Sequence, residues 1–227
     1  MPSVASRLEH VEDGSLEVGA TAGDAEAGVV AEPRPPLRSR SSVDLLAEER
    51  ALALVQRGRR AEALEILMVA YGHKITAFAE RMLRQNELAN DVRQQVFLQA
   101  FQGLDGFKAH SSLWTWLCSI TYYRCLDELR RIGKWVMAEE VESIDNLLYE
   151  EDASLDPDQL AKRRALERCL MKLPPPLQAQ LLMRCFFGLS YAEIGELVGA
   201  SQATVQVRIS RILPRLRRCL RGQGVAR

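Results

Sequence analysis

Apolar positions along this 227-residue chain recur at helical spacings, and no stretch sustains the alternation of a half-buried strand. The pattern therefore predicts an all-α protein. From Val43, the positions Leu45, Leu46, Leu52 and Val55 predict a helix interrupted at Gly58. Leu64, Leu67 and Met68 predict a second helix over Ala61 to Ala70, and Ile75, Phe78, Ala79 and Met82 a third over His73 to Leu83. In a fourth, Leu88 to Gln102, the core face is Phe97, Ala100, Phe101 and Leu104. A second face of that helix holds Asp91, Gln94, Gln95, Leu98 and Gln102. It is polar with a lone leucine, and periodicity alone fits both a solvated face and a docking surface.

After the loop Phe107 to Ser112, a helix is predicted from Leu113 to about Arg131. Its apolar residues Leu117, Ile120, Tyr123, Leu126 and Leu129 recur every three positions. At 3.6 residues per turn such a row drifts about 60° per step, so the apolar surface winds round the helix and part of it is expected to be exposed. Trp114, Trp116, Tyr122 and Tyr123 crowd this segment, with Arg124, Arg130, Arg131 and Lys134 behind them. Aromatics among cations suit single-stranded nucleic acid, where bases stack and cations hold phosphates. Trp116 is expected in the core, and Trp114, on a different face, is the expected exposed aromatic.

The second half begins with Asp156 and Pro157, an N-cap followed by proline at the first helical position. That helix carries Leu166, Leu170 and Leu173 and stops at Pro174-Pro175-Pro176; another runs from Leu177 to Phe187. Then comes the stretch Gly188 to Arg211. Ser190 and Glu193 have capping-box spacing, Gly199 ends a short helix, and Ser201 caps the next. Val205, Ile209 and Ile212 form the apolar stripe of that last helix, while Gln202, Gln206, Val207, Ser210 and Arg211 lie opposite. Helix, tight turn and a helix with a polar outer face is the helix-turn-helix plan, whose second helix enters the major groove. The alternative is a helical hairpin buried in a bundle. Pro214 removes one backbone hydrogen bond from the last helix, predicting a kink or an early end near Leu213.

Charge sharpens this division. Thirty basic and thirty acidic residues cancel, yet seven arginines and no acid follow from Arg208 onward, and nine acids and no base lie between Glu139 and Asp158. Residues 1–43, poor in large apolar groups, are expected to be a disordered tail. Residues 44–134 form a first helical domain, 135–156 an acidic flexible linker, 157–222 a second domain and 223–227 a short tail. Five scattered cysteines (Cys118, Cys125, Cys169, Cys185 and Cys219) show no metal-ligand spacing, so reduced, mostly buried thiols of a cytoplasmic protein are expected. No membrane-spanning run or signal-peptide core is visible. His10, His73 and His110 are isolated, and no nucleophile–base pair stands out, so neither an enzyme, a cofactor nor a metal site is expected.

Several segments together resemble the sigma-70 family of bacterial RNA polymerase initiation factors, most closely its small two-domain extracytoplasmic function (ECF) group. Leu173-Pro174, Gly188-Leu189-Ser190-Tyr191, Glu193-Ile194, Thr204-Val205 and Arg208 match the pattern of region 4. Asp91-Val92-Arg93-Gln94-Gln95-Val96-Phe97 resembles the clamp-binding segment of region 2, and Phe107 to Leu117 its promoter −10 segment. The resemblance spans about residues 45–220 and implies roles. Asp91, Val92, Gln94, Gln95 and Leu98 would dock on the β′ coiled coil of the polymerase core, and the second domain would meet the β flap. Lys108, His110, Ser111, Ser112, Trp114, Tyr122, Tyr123 and Arg124 would capture the melted −10 strand. Gln202, Thr204, Gln206, Val207, Arg208, Ser210 and Arg211 would read the −35 duplex, Gln206 at an adenine edge and Val207 at a thymine methyl. An anti-sigma factor is the implied regulator.

Departures from the family pattern bear on the promoter sequence. Gln206 replaces a usual base, Tyr123 stands where Asn is frequent, and Gln178 where a phosphate-contacting Arg is common. A sigma-like decoy, binding the polymerase or an anti-sigma factor without initiating, is the alternative function; a simple helix-turn-helix repressor would leave the first domain without a role.

Overall fold

The computed structural model describes residues 41–133 and 156–224. The expected tail up to residue 40, Lys134, the acidic linker up to residue 155 and residues 225–227 fall outside the described residues. Eight α-helices and no strand occur among those described: α1 Ser42–Gln56, α2 Arg60–Leu83, α3 Asn86–Gly103, α4 Leu113–Arg131, α5 Pro157–Met171, α6 Pro175–Cys185, α7 Tyr191–Val198 and α8 Gln202–Gly222. None is long and apolar enough to cross a membrane.

α1 starts at a capping box: the Asp44 N–H donates to Ser41 Oγ (3.1 Å) and the Ser41 N–H to Asp44 Oδ2 (3.1 Å). The same carboxylate accepts from Lys74 Nζ on α2 at 2.7 Å. Burial opposes ionisation of Asp44, but bonds from Lys74 and Ser41 and the Lys74 charge outweigh it and hold the carboxyl below its ordinary pKa.

The two helices predicted over 61–83 are one. α2 runs without interruption because Tyr71 and Gly72 are buried in the bundle, and packing outweighs the intrinsic helix cost of one glycine, about 1 kcal/mol. α2 packs on α1, α3, α4 and α6, and ends where Arg84 takes a left-handed conformation. α3 buries Val92, Val96, Phe97 and Ala100 against it. Phe101, expected in the core, is only half-buried; its outer ring face is covered by the Arg60 guanidinium, 4.5 Å from the ring centroid.

In the second set, α7 and α8 pack as a pair, and α8 also packs on α5 and α6. Asp156 caps α5 as predicted, its Oδ1 accepting from the Gln159 N–H at 2.9 Å. Of the kink or early end expected near Leu213, the early end is overturned: α8 continues through Pro214 to Gly222. Proline removes one hydrogen bond, whereas Leu216 is buried beyond it, Arg168 of α5 holds the Gln223 side chain at 2.9 Å, and Cys219 is covalently tied to Cys169. Tertiary attachment of the distal half thus outweighs the local loss. The Cys169–Cys219 disulfide also overturns the expectation of five reduced thiols; Cys118, Cys125 and Cys185 are not disulfide-bonded.

The hydrophobic core runs without a break from Ala51 through Trp114 to Phe187 and Leu216, so both helical sets share it. This shared core explains why the three-residue apolar row of α4 leaves no large exposed stripe. Leu117, Ile120, Leu126 and Leu129 are all buried because α4 is covered on one side by α2 and α3 and on another by α6.

Candidate nucleic-acid and partner interfaces

The helix-turn-helix is set by local chemistry at both ends of α7. Ser190 Oγ accepts from the Glu193 N–H at 3.1 Å, and Glu193 Oε2 accepts from the Ser190 N–H at 2.8 Å. Gly199 ends the helix at φ +67°, a left-handed position that glycine takes without a Cβ clash. The turn is tight because the Ala200 N–H donates to the Gly195 carbonyl at 2.9 Å. A Cβ on Gly195 would lie 2.5 Å from the Ala200 backbone oxygen, so this glycine is required for space rather than for φ. Ser201 caps α8, accepting from the Thr204 N–H at 3.1 Å.

Val205, Ile209 and Ile212 anchor α8 in the core. Its other faces carry Gln202, Thr204, Gln206, Val207, Arg208, Ser210 and Arg211, and all seven are exposed. Two hydroxyls are already engaged locally: Thr204 Oγ1 shares a 2.8 Å bond with Ser201 Oγ, and Ser210 Oγ donates to the Val207 carbonyl at 2.9 Å. Val207 and Arg211 stand one turn apart on the side of α8 away from its buried stripe. Gln178, at the position where the family often has arginine, is buried, its Nε2 donating to the Arg81 carbonyl of α2 at 2.9 Å.

On α3, Asp91, Gln94, Gln95 and Leu98 are exposed together, Leu98 by 59%. Val92 does not belong with them. It is 1% exposed and belongs to the buried core, so its side chain cannot reach a partner.

The loop before α4 presents Lys108 and His110 to solvent. Ala109 between them has φ +53°, an uncommon left-handed conformation for a residue with a Cβ. Ser111 and Ser112 are half-buried; Ser112 is the α4 N-cap, accepting from the Thr115 N–H at 3.0 Å. The two tryptophans exchange their expected places. Trp114 is 1% exposed, stacked on Tyr71 (centroids 4.4 Å apart) and edge-on to Phe187 (4.7 Å). Trp116 is half-buried against Phe107 and Gly103. The physical reason is the shared core: the face of Trp114 looks exposed from α2–α4 periodicity, but the second helical set covers it. Tyr122 is likewise buried, and burial, aided by neighbouring Tyr123, pushes its hydroxyl pKa up to about 12. Arg124 is half-buried and its Nε donates to Gln99 Oε1 at 2.9 Å.

Several bonds tie the α4 face directly to the second set. Trp114 Nε1–H donates to the Phe187 carbonyl (3.2 Å), Thr115 Oγ1–H to Glu193 Oε1 (2.8 Å) and Tyr123 OH to the Leu197 carbonyl (2.9 Å). Thr115, Phe187 and Gly195 were not singled out by sequence reasoning. Gly195 carried a readable signal, a glycine inside a short amphipathic helix; Thr115 and Phe187 carried none, since their importance comes from pairing across about 75 residues of chain.

Comparison with known proteins matches residues 67–135 to the family model "Sigma-70 region 2" and residues 163–216 to "Sigma-70, region 4". The chain is 29% identical over 177 residues to the RNA polymerase sigma-H factor of Pseudomonas aeruginosa, covering 74% of this chain and 92% of that protein. It is 29% identical over 165 residues to the ECF RNA polymerase sigma-E factor of Escherichia coli K12, covering 69% and 85%. Among solved structures, its fold is similar to that of the sigma factor RpoE bound to the anti-sigma factor NepR from Bartonella quintana (TM-score 0.55, 22% identity, 69% of this chain and 95% of that one). It is similar also to CnrH in complex with the cytosolic domain of CnrY (TM-score 0.55, 21% identity, 80% and 99%).

Proposed function

Because the chain belongs to the sigma-70 family, in its ECF group of RNA polymerase sigma factors, we propose how its surfaces divide the work of promoter recognition. The face of Asp91, Gln94, Gln95 and Leu98 docks on the β′ coiled coil of the polymerase core, and the second helical set meets the β flap. Lys108 and His110, beside the half-accessible Phe107 and Trp116, take the melted −10 strand by stacking and phosphate contact. The outward face of α8 reads the −35 duplex, with Gln206 and Val207 at base edges and Arg208 and Arg211 on phosphates. The protein acts by binding, in the cytoplasm, with no reaction of its own. An anti-sigma factor holds it inactive, a reading supported by the similarity to the sigma factor RpoE in complex with the anti-sigma factor NepR.

The single observation that carries this reading is the presence of both sigma-70 regions, in order, in one chain whose α8 presents a polar outer face from a buried apolar stripe. The bonds of Thr115 and Tyr123 to Glu193 and Leu197 occupy part of the −10 face. Promoter engagement therefore requires the two helical sets to separate.

Run-off transcription with core polymerase on templates with randomised −35 and −10 elements tests the activity and reads the specificity together. Promoter-specific transcripts are the expected result. Binding to core without any such transcript would establish the decoy role instead. Replacing both Asp91 and Gln94 with alanine is expected to weaken core binding about tenfold, as for loss of well-placed interface contacts; unchanged affinity would remove α3 from the interface. Arg211→Ala is expected to weaken binding to a −35 duplex and to reduce the slope of log affinity against log salt by about 1. An unaltered slope would mean that Arg211 touches no phosphate.

A further inference from the structure

The Cys169–Cys219 bridge joins the last turns of α5 and α8, the two helices that frame the second set. The cytoplasm keeps most thiols reduced, and disulfides that form there are mainly transient or sensing. We propose that Cys169 and Cys219 are a reversible redox staple that fixes the distal half of α8, with Cys219 as the exchanging sulfur. The proposal rests on the cytoplasmic placement above for its biological sense, but not on α8 reading DNA.

Three observations carry it. The first is reach. The Cα atoms of the pair are 5.8 Å apart, inside the window that a disulfide spans without backbone movement. The second is asymmetry. Cys169 is 1% exposed whereas Cys219 is half-exposed, so an incoming thiol or disulfide meets Cys219 first. The third is charge. Arg215, one helical turn before Cys219, is exposed on the same side of α8, and Arg218 and Arg168 adjoin the two cysteines in sequence. Cationic neighbours favour the thiolate, the reactive form. The C-terminus of α8 opposes it with about half a unit charge. The other cysteines differ. Cys118 and Cys125 are fully buried, and burial together with the Glu128 charge raises the Cys125 thiol pKa far above its ordinary value; Cys185 is exposed on α6 and remains free.

The exchange balances with an oxidised low-molecular-weight thiol, RSSR, as the oxidant. The Cys219 thiolate attacks one sulfur of RSSR, forms a mixed disulfide and releases RS⁻. The Cys169 thiolate then attacks Cys219 Sγ and releases a second RS⁻. Both cysteine protons pass to the released thiolates, so protein dithiol plus RSSR gives protein disulfide plus two RSH. An excess of RSH reverses the steps, again through Cys219. The structural consequence falls beyond Pro214, where the helix ladder lacks one bond and attachment to α5 holds the remaining turns.

The test uses the full chain equilibrated with glutathione and its disulfide at different ratios, alkylated after denaturation and weighed. Five cysteines should be alkylated under reducing conditions and three under oxidising ones, and Cys219→Ser should abolish the change while Cys185→Ser preserves it. In parallel, native trypsin cleavage after Arg217, Arg218 and Arg221 should be roughly tenfold slower in the bridged form than in the reduced form, since cleavage follows local opening. In Cys219→Ser it should be fast and indifferent to the glutathione ratio. An alkylation count that stays constant across the ratios overturns the redox response. A count that changes while cleavage rates stay equal overturns the control of α8. Neither readout involves polymerase or promoter DNA, so failure here is distinguishable from failure of the transcription assay.

Discussion

Trp114→Ala is expected to lower the unfolding free energy by about 3–5 kcal/mol, the range for emptying a buried tryptophan site. The indole lies between Tyr71 of the first set and Phe187 of the second, with Lys74 Nζ 5.6 Å from its ring. Its N–H meets a backbone carbonyl that would otherwise be buried beside it without this donor. Alanine removes both the stacking and the bond. Trp114→Phe keeps much of the stacking and loses the bond, so its expected cost is smaller, about 1–3 kcal/mol. Urea unfolding of the full chain reads both values. The competing role, a stacking platform for promoter bases, makes the opposite demand: near-normal stability with loss of single-strand binding. A Trp114→Ala chain that unfolds at the same urea concentration as the parent would place this side chain outside the core and restore the platform role. Trp116→Ala provides the contrast, because Trp116 is half-buried and its loss should weaken −10 strand binding more than stability.

Gly195→Ala is expected to cost about 1–3 kcal/mol, the range for forcing extra volume into a packed site. Its added Cβ would press on the Ala200 carbonyl, and a backbone oxygen in a tight turn cannot swing aside as a flexible side chain would. The turn must then open, which displaces the Ser201 cap and the start of α8. Gly199→Ala faces a different obstacle. Nothing lies within 4 Å of a Cβ there, and the cost is only that of holding alanine at φ +67°, about 1 kcal/mol. Gly199→Asn should recover part of that loss, since asparagine tolerates the left-handed region; Gly195→Asn should not recover any. Thermal unfolding combined with −35 duplex binding separates the two positions. If Gly195→Ala is as mild as Gly199→Ala, the close approach of α7 to the turn is not a constraint on this protein.

Much of this molecule is legible in its sequence. Local chemistry wrote several helix ends: Asp156 with Pro157, Ser190 with Glu193, and Gly199 with Ser201 all act within four residues, so spacing alone reveals them. The all-α class and the apolar stripe of α8 follow from periodicity for the same reason, as does the polar face of Asp91, Gln94, Gln95 and Leu98. Other features depend on neighbours far away in sequence. A glycine at 72 reads as a break until Phe97 packs over it, and a proline at 214 reads as an end until α5 holds the turns beyond. Val92 reads as part of the α3 motif until the packed core buries it.

Trp114 and Trp116 show the limit most sharply. Helical phase places them on different faces of α4, but phase does not say which face a second set of helices will cover. Burial is a property of what packs opposite, and what packs opposite Trp114 is Phe187, 73 residues later. The same holds for Cys169 and Cys219, which no spacing motif pairs and which meet only because α5 and α8 lie side by side. Elements, caps and the outward face of α8 are thus local decisions. Which aromatic is core, which thiols meet and which surface is covered are decided by long-range packing, because those energies exist only once the two helical sets are in contact.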